Sequence, residues 1–269
     1  MMEKIHVRGI TIAADFLKAS GEIIVFIHGV GADRTAWKEQ LSFFHGKGFS
    51  VAALDMRGSG DSEARDGSGK LLPISIEEFT MDVDAVIHEL GYERAHWVGN
   101  SMGGIIALEA LSKGFGSVDR VALCNTFAYH PDKDQILPRA AAALQIKSLS
   151  DFAKERIPLV LRSDIDPEKL NEAIHAMARK DPEAYLASWQ ATWSPDYRPA
   201  LSKIKNPVLV VSGSLDMITP VKLSEELAAN IQGATHVTIG GAGHISNMDR
   251  ASEYNEILLD FLKKPLSER

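Results

Sequence analysis

Short apolar runs alternate with amphipathic stretches over the first half of the chain. The runs have the length of strands and contain few polar residues, as in strands buried on both faces of a parallel sheet. The stretches between them place apolar residues on one helical face, for example Trp37, Leu41 and Phe44. This alternation predicts an α/β fold with a mostly parallel, twisted sheet and helices on both faces. The predicted elements are strands at Ile5–Ile12, Ile23–Ile27, Val51–Leu54, the run that ends at Gly99, and Arg120–Cys124, with helices at Glu77–Leu90 and Met102–Lys113.

The alternation stops near residue 127 and resumes near residue 201. The segment between them is rich in proline and has short helical patterns at Arg139–Gln145, Pro167–Arg179 and Pro182–Thr192. We therefore expect a core formed by residues 1–126 and 201–269, with residues 127–200 inserted as a helical cap. Such an insertion would lie over the carboxyl edge of the sheet, where open α/β sheets bind ligands. After it, the pattern predicts strands at Pro207–Val211 and Thr235–Ile239 and helices at Val221–Ile231 and Ala251–Leu262.

A serine stands at the corner between one of the buried strands and the helix that follows it. Gly99 precedes Ser101 by two residues and Gly103 follows it by two. This is the Gly-x-Ser-x-Gly spacing of a nucleophile elbow. The glycines are needed because strand and helix backbones approach too closely there to leave room for a Cβ atom. Ser101 is therefore the candidate nucleophile, in a strained conformation with its hydroxyl above the end of the sheet.

A serine hydroxyl needs a base to remove its proton, and the base needs an acid to orient it. Asp216 follows the strand at Pro207–Val211, and His244 lies in a glycine-rich loop after the last strand. All ends of parallel strands point the same way, so these side chains can converge with Ser101. We predict that Ser101, Asp216 and His244 form a catalytic triad.

An oxyanion formed at Ser101 would need two hydrogen-bond donors. The backbone N–H of Met102, at the start of the next helix, is one candidate. The backbone N–H of Val30, in the loop after the strand Ile23–Ile27, is the other. His28 in the same loop lacks the partners of a metal site, and we expect it to hold the loop in place.

Three other patterns imitate different chemistries. Gly29-Val30-Gly31 after a strand resembles a dinucleotide-binding turn, but Arg34 stands where the third glycine would be. Tyr129 and Lys133 have the spacing of a short-chain dehydrogenase pair, but Pro131 breaks the helix that they would share. The single cysteine, Cys124, is expected to be a packing residue.

Composition narrows the classes of partner. The chain of 269 residues has a net charge of −7 and no lysine–arginine cluster, which argues against nucleic-acid binding. Its apolar runs are too short to cross a bilayer, and its first residues do not form a secretory signal. One cysteine permits no internal disulfide, so we expect a cytoplasmic protein without a membrane partner. Assembly into a homo-oligomer is compatible with the sequence.

Taken together, these motifs resemble the α/β-hydrolase family over essentially the whole chain. Within the family the chain is most similar to the 3-oxoadipate enol-lactonases, in residues 121–126, 137–139 and 244–251. The resemblance implies a helical cap inserted after the sixth strand and hydrolysis of a small carboxylic ester or lactone without metal or cofactor. The matching motifs are His28-Gly29, Asp55-x-Arg57-Gly58-x-Gly60-x-Ser62, Gly99-Asn100-Ser101-Met102-Gly103-Gly104, Gly213-x-x-Asp216 and Gly243-His244.

The substrate itself is left open by the sequence. By analogy, Arg139 is a candidate clamp for a substrate carboxylate, although an exposed helix arginine explains it equally well. Trp189 could line the substrate pocket or hold the cap to the sheet, and we favour the second. Asn100 before the nucleophile is similar to carbon–carbon bond hydrolases of aromatic ring cleavage, which would use the same triad. An NAD-dependent oxidoreductase and a non-catalytic receptor with the hydrolase fold are remote alternatives.

Overall fold

A single mixed sheet organises the protein. The computed structural model describes residues 2–162 and 164–264, and within them eight strands have the order β1-β2-β4-β3-β5-β6-β7-β8. β1 and β2 form an antiparallel hairpin, and β2 also pairs antiparallel with β4. All other neighbouring strands are parallel. The strands are β1 (Met2–Val7), β2 (Ile10–Leu17), β3 (Ile23–Ile27), β4 (Ser50–Leu54), β5 (Ala95–Asn100), β6 (Val118–Cys124), β7 (Val208–Gly213) and β8 (Thr235–Ile239).

Helices cover both faces of this sheet. Apolar side chains of α2, α3 and α8 pack on one face, and those of α1 and α10 pack on the other. This arrangement confirms the predicted α/β class. The helices are α1 (Lys38–Gly46), α2 (Ile76–Glu89), α3 (Met102–Lys113), α4 (Lys133–Leu144), α5 (Leu149–Arg156), α6 (Pro167–Ala178), α7 (Pro182–Trp193), α8 (Val221–Asn230), α9 (Ser246–Asp249) and α10 (Ala251–Lys263), with 3₁₀ turns at Arg34–Trp37, Ile157–Leu159 and Arg198–Lys203.

The first strands differ from the prediction. A single strand over Ile5–Ile12 is wrong, because the chain turns back at Arg8 and Gly9. Both residues have positive φ, 51° and 77°, which is the conformation of a type I′ hairpin turn. Val7 consequently pairs with Ile10. Because the buried isoleucines and valines lie on both sides of the turn, their pattern reads as one strand.

The segment that we expect to be the cap lies between β6 and β7 and contains α4 to α7. Its first helix begins six residues before the predicted start at Arg139 and includes Pro138. The helix α5 was not predicted at all. Within the described part of the chain, no helix is both long and apolar enough to cross a membrane.

Candidate active site

Ser101 occupies the sharp corner between β5 and α3. Its backbone has φ 54° and ψ −114°, which is a costly conformation for a residue with a side chain. The two flanking glycines permit this corner. A Cβ atom on Gly99 would lie 2.1 Å from the carbonyl oxygen of Gly103, and one on Gly103 would lie 2.1 Å from that of Ile27. The strand, the corner and the helix are therefore packed backbone to backbone, as the Gly-x-Ser-x-Gly spacing predicts.

The structure brings the three predicted triad residues together. Nε2 of His244 lies 3.0 Å from Oγ of Ser101, and Nδ1 of His244 lies 2.9 Å from Oδ2 of Asp216. Ser101 is at the end of β5, Asp216 follows β7, and His244 follows β8. All three side chains are buried. This arrangement can pass a proton from the serine hydroxyl to the imidazole while the carboxylate holds the ring.

The Asp216 carboxylate is fixed by several donors. Its Oδ1 accepts the backbone N–H groups of Ile218 and Thr219 at 2.8 and 2.9 Å, and its Oδ2 accepts the Thr219 hydroxyl at 2.6 Å. Burial alone would raise the pKa of Asp216, but the His244 imidazole and these hydrogen bonds lower it to about 2. Asp216 is therefore ionised at neutral pH and can stabilise a positive charge on His244.

Sequence reasoning missed the role of Asn125 in this network. Its side-chain amide donates to Oδ2 of Asp216 at 2.9 Å and to the carbonyl of Gly243 at 3.2 Å. Its amide oxygen accepts the hydroxyl of Ser246 at 2.6 Å. The residue has φ 48°, a conformation that asparagine tolerates better than most side chains. A short polar residue directly after β6 was the available signal.

The loop that carries His244 is held from two sides. The carboxylate of Asp249 accepts the backbone N–H of Gly243 at 2.7 Å and that of Arg162 at 3.1 Å. The backbone N–H of His244 donates to the carbonyl of Val160 at 2.9 Å. Arg162 and Val160 belong to the segment between β6 and β7, so that segment contacts the backbone of the candidate base directly.

The two predicted oxyanion donors flank Ser101. Met102 is the first residue of α3, and backbone N–H groups in the first turn of a helix have no intrahelical acceptor. Val30 follows Gly29, where a Cβ atom would lie 3.2 Å from Cβ of Ser101, so its loop runs alongside the nucleophile. Both N–H groups remain the predicted donors.

A cavity of about 50 Å³, the inner cavity, opens onto Ser101 and His244. Its wall is mainly apolar and comes from the core loops and from the segment between β6 and β7. A larger cavity of about 340 Å³, the outer cavity, adjoins it. The two share Arg156, Trp193 and Ile218 as lining residues. These three side chains therefore lie where the two cavities adjoin.

Comparison with known proteins identifies the family to which the chain belongs. A sequence profile described as "Alpha/beta hydrolase family" matches residues 24–257. The chain belongs to the α/β-hydrolase family. It is 26% identical over 253 residues to 3-oxoadipate enol-lactonase 2 of Acinetobacter baylyi, covering 93% of this chain and 92% of that protein. It is 27% identical to a 2-hydroxy-6-oxononadienedioate/2-hydroxy-6-oxononatrienedioate hydrolase of Paraburkholderia phymatum, covering 91% and 88% respectively. The crystal structure of the enol-lactonase from Burkholderia xenovorans LB400 superposes with a TM-score of 0.88 at 30% identity, over 97% of this chain and 100% of that one.

The two predicted substrate-binding residues of this α/β-hydrolase lie farther out than the triad. Arg139 is exposed on α4 and lines the outer cavity. Trp189 is buried on α7, also lines the outer cavity, and packs between Tyr185 and Trp193 with ring centroids 6.2 and 5.5 Å away. Substrate binding by either residue stays a prediction.

His28 has bonds that suit a structural role in the loop. The backbone N–H of Met56 donates to its Nε2 at 3.1 Å, so Nδ1 carries the proton and donates to the carbonyl of Gly29 at 2.7 Å. Burial lowers the pKa of His28 to about 3, and the positive charge of Lys180 acts in the same direction. The neutral ring thus joins the loop after β3 to the segment that follows β4.

The two sequence patterns that resemble nucleotide-binding enzymes form different contacts in the structure. Asp55 at the end of β4 is buried, accepts the backbone N–H of Arg34 at 2.7 Å and pairs with its guanidinium. It therefore has no free oxygen directed to a ribose. Lys133 starts α4 and lies over the ring of Tyr129, 5.3 Å from its centroid, and Tyr129 precedes the helix. The two residues do not share a helical face.

Two further groups lie away from the cavities. Cys124 is buried, 3.0 Å from the hydroxyl of Tyr254, and burial raises its pKa to about 12. Glu22, His96 and Asp119 bring ligand atoms within 4.8 Å of one another and could hold a metal ion. They lie at the amino ends of β3, β5 and β6, the sheet edge opposite Ser101.

Proposed function

We propose that this α/β-hydrolase is a serine hydrolase that cleaves a small carboxylic ester or lactone. The single observation that carries the proposal is the chain of two hydrogen bonds, 3.0 Å from Ser101 Oγ to His244 Nε2 and 2.9 Å from His244 Nδ1 to Asp216. The similarity to two enol-lactonases supports the choice of substrate class.

In the proposed reaction, His244 takes the proton of Ser101 as Oγ attacks the carbonyl carbon. The negative charge that forms on the carbonyl oxygen is stabilised by the N–H groups of Val30 and Met102. His244 then gives its proton to the departing oxygen, which leaves an acyl group on Ser101. A water molecule, deprotonated by His244 in turn, attacks the acyl carbon. The bond from that carbon to Oγ then breaks, His244 returns the proton to Oγ, and the acid is released. Asp216 keeps the ring orientation and stabilises the imidazolium throughout.

The test is the Ser101→Ala variant assayed with 4-nitrophenyl acetate. We expect hydrolysis to fall to the rate of buffer alone while the circular dichroism spectrum and the unfolding temperature stay those of the wild type. Labelling of the wild type by a fluorophosphonate probe, absent in the variant, would argue against a non-catalytic receptor. Unchanged hydrolysis by the Ser101→Ala variant would refute the proposal.

Carbon–carbon bond hydrolysis is the second candidate, because Asn100 before the nucleophile is similar to hydrolases of that class. One relative is a 2-hydroxy-6-oxononadienedioate/2-hydroxy-6-oxononatrienedioate hydrolase. Asn100, the residue before the nucleophile, also lines the inner cavity. Both candidates use the same triad, so a mutation cannot separate them. Comparing kcat/KM for an enol-lactone and for a vinylogous 1,5-diketone, with Ser101→Ala as the blank, separates them directly. A higher value for the diketone would replace the ester or lactone proposal.

A further inference from the structure

One ion pair joins the segment between β6 and β7 to the loop after β3, which comprises residues 28–33 and carries Val30. Arg179 directly follows α6, and its Nη2 and Nε lie 2.6 and 3.2 Å from Oδ2 of Asp33. Its Nη1 also lies 3.5 Å from Oδ1 of Asp61. Oδ1 of Asp33 accepts the backbone N–H of Thr35 at 2.9 Å. Both oxygens of Asp33 therefore have donors, and those on Oδ2 come from Arg179.

The carboxylate of Asp33 is both buried and charged. The residue is 1% exposed. Burial alone would raise its pKa, but the hydrogen bonds from Thr35 and Arg179 lower the pKa of Asp33 to about 2. A buried carboxylate that loses its partner is strongly destabilised, so the chain around it shifts until the charge meets water or another donor. The guanidinium of Arg179 thus fixes the point at which the loop after β3 ends.

The rest of this loop lies against the nucleophile. A Cβ atom on Gly29 would lie 3.2 Å from Cβ of Ser101. The backbone N–H of Ala32 donates to the carbonyl of Gly29 at 3.0 Å, so the residues between them form a tight turn. Asp33 comes directly after this turn. Because the turn is short, a displacement of Asp33 changes the direction of the Val30 N–H relative to Ser101.

Three other ion pairs link the segment between β6 and β7 to the rest of the protein, and they end outside this loop. Their side chains are 22–54% exposed, so water screens the attraction within each pair. They provide matched controls, because each joins the same two parts of the chain as Arg179 and Asp33 do. The pairs are Lys169 with Glu39, Lys38 with Glu172, and Arg65 with Asp181.

We propose that Arg179 is a positioning residue for the oxyanion site: through Asp33 it holds the loop after β3 so that the N–H of Val30 faces the oxyanion. The inference rests on the proposed serine-hydrolase function and on Val30 as a donor, and it gives the segment between β6 and β7 a part in the chemical step. Negative charge on the carbonyl oxygen forms only in the transition state. Misplacing one of its donors therefore lowers kcat and leaves KM nearly unchanged.

The first experiment measures kcat and KM for 4-nitrophenyl acetate in Arg179→Gln. Loss of one oxyanion donor lowers kcat by roughly 10²–10³-fold, so we expect a displaced Val30 to lower it by about 10-fold to 100-fold. KM should stay within about 3-fold of the wild type. Arg179→Lys keeps the charge and should recover part of kcat. Lys169→Gln removes a positive charge and an ion pair from α6 itself, and its kcat should stay within about 2-fold of the wild type.

A second measurement reports on the oxyanion site without turnover. Oγ of Ser101 adds to the carbonyl carbon of 1,1,1-trifluoro-4-phenylbutan-2-one, its proton passes to His244, and the carbonyl oxygen becomes an oxyanion. The unactivated carbonyl of 4-phenylbutan-2-one forms little of this adduct. The inhibition constant of the second ketone divided by that of the first therefore measures how well the oxyanion is stabilised. We expect this ratio to fall in Arg179→Gln by about the same factor as kcat, and to stay at the wild-type value in Lys169→Gln.

A double-mutant cycle tests whether Arg179 acts through Asp33. Asp33→Asn keeps an acceptor for Thr35 and removes the negative charge that faces Arg179. In the Asp33→Asn background, Arg179→Gln should change kcat by at most about 2-fold, because its charged partner is already gone. An equal loss of kcat in both backgrounds would overturn the inference.

Wild-type values of kcat and of the inhibitor ratio in Arg179→Gln would also overturn the inference and leave the proposed function intact. Circular dichroism and thermal unfolding show whether each variant folds. Should Arg179→Gln fail to fold, Arg179→Lys takes its place, and a wild-type inhibitor ratio in that variant counts against the inference. Hydrolysis that persists in Ser101→Ala would overturn the proposed function instead.

Discussion

Replacing Asp216 with asparagine tests how the proton on His244 is positioned, because the structure dictates the orientation of the new amide. Oδ1 of Asp216 accepts two backbone N–H groups, from Ile218 at 2.8 Å and Thr219 at 2.9 Å. In the Asp216→Asn variant the amide oxygen keeps both bonds only if it occupies the Oδ1 position. The amide NH₂ then occupies the Oδ2 position, which is 2.9 Å from Nδ1 of His244.

The opposite orientation would direct the NH₂ group at two backbone donors and leave both unpaired, at about 1–3 kcal/mol each. The first orientation sacrifices the hydrogen bond donated by Asn125, at about 1–3 kcal/mol. The Thr219 hydroxyl, which donates to Oδ2 in the wild type, can rotate and accept from the new NH₂ group instead. The first orientation is therefore favoured by about the cost of one lost bond. An amide donor facing Nδ1 makes that nitrogen an acceptor, so the ring proton moves to Nε2. A protonated Nε2 cannot accept the proton of Ser101, and we expect kcat to fall by roughly 10⁴-fold.

The assay measures kcat and KM for 4-nitrophenyl acetate, with thermal unfolding measured in parallel. The nitrogen chemical shifts of the His244 ring report the tautomer directly. Asp249→Asn is a matched comparison, since it changes another buried carboxylate that does not contact the imidazole. A variant at residue 216 whose kcat stays within about 10-fold of the wild type, or whose ring keeps its proton on Nδ1, would refute the reasoning.

Two further predictions concern the loops around the triad. In Asp249→Asn, either the N–H group of Gly243 or that of Arg162 loses its acceptor. We therefore expect the free energy of unfolding to fall by about 1–3 kcal/mol in urea titrations and kcat for ester hydrolysis to fall roughly 10-fold. A kcat equal to that of the wild type would contradict this prediction. The pKa of His28 is about 3 in the folded protein against an ordinary value of 6.5, so the unfolded chain binds its proton first as the pH falls. The free energy of unfolding should therefore decrease from pH 6.5 towards pH 3 by up to about 1.4 kcal/mol per pH unit. The His28→Gln variant keeps an acceptor for the N–H of Met56 and should lack this contribution to the pH dependence, as measured by urea titrations at each pH. Parallel curves of unfolding free energy against pH for the two proteins would contradict the prediction.

The convergence of the three triad side chains could be predicted, because parallel strands place their carboxyl ends at the same edge of a sheet. Ser101 and Asp216 follow the buried strands β5 and β7, and His244 follows the edge strand β8. The carboxyl ends of these three strands lie at one edge of the sheet. Strand length and apolar continuity are local properties, so these elements were found nearly at their observed bounds. The hairpin of β1 and β2 was missed because apolar residues lie close on both sides of a turn of only two residues, Arg8 and Gly9.

Other parts of the site depend on contacts between distant segments. Asn125 acquires its role only because β6 and β7 pair in a register that sets Cys124 beside Val211, which brings the end of β6 to the loop of Asp216. Asp249 follows the candidate base by five residues, but its partner Arg162 comes from the segment between β6 and β7. No spacing rule within a single sequence encodes either contact.

The lining of the two cavities was the least predictable part of the site, and Arg156, which lines both, shows the physical reason. Arg156 lies on α5, a helix with charged residues on most of its surface, whose apolar face is too short to stand out as a pattern. Whether such an arginine faces water or a cavity is decided by how the helix packs, and the sequence pointed to Arg139 because that position matched a relative's motif. The carbonyl of Val160, four residues after Arg156, accepts the backbone N–H of His244. The segment between β6 and β7 is thus hydrogen-bonded to the candidate base itself, so the position of His244 depends on how this segment packs against the core.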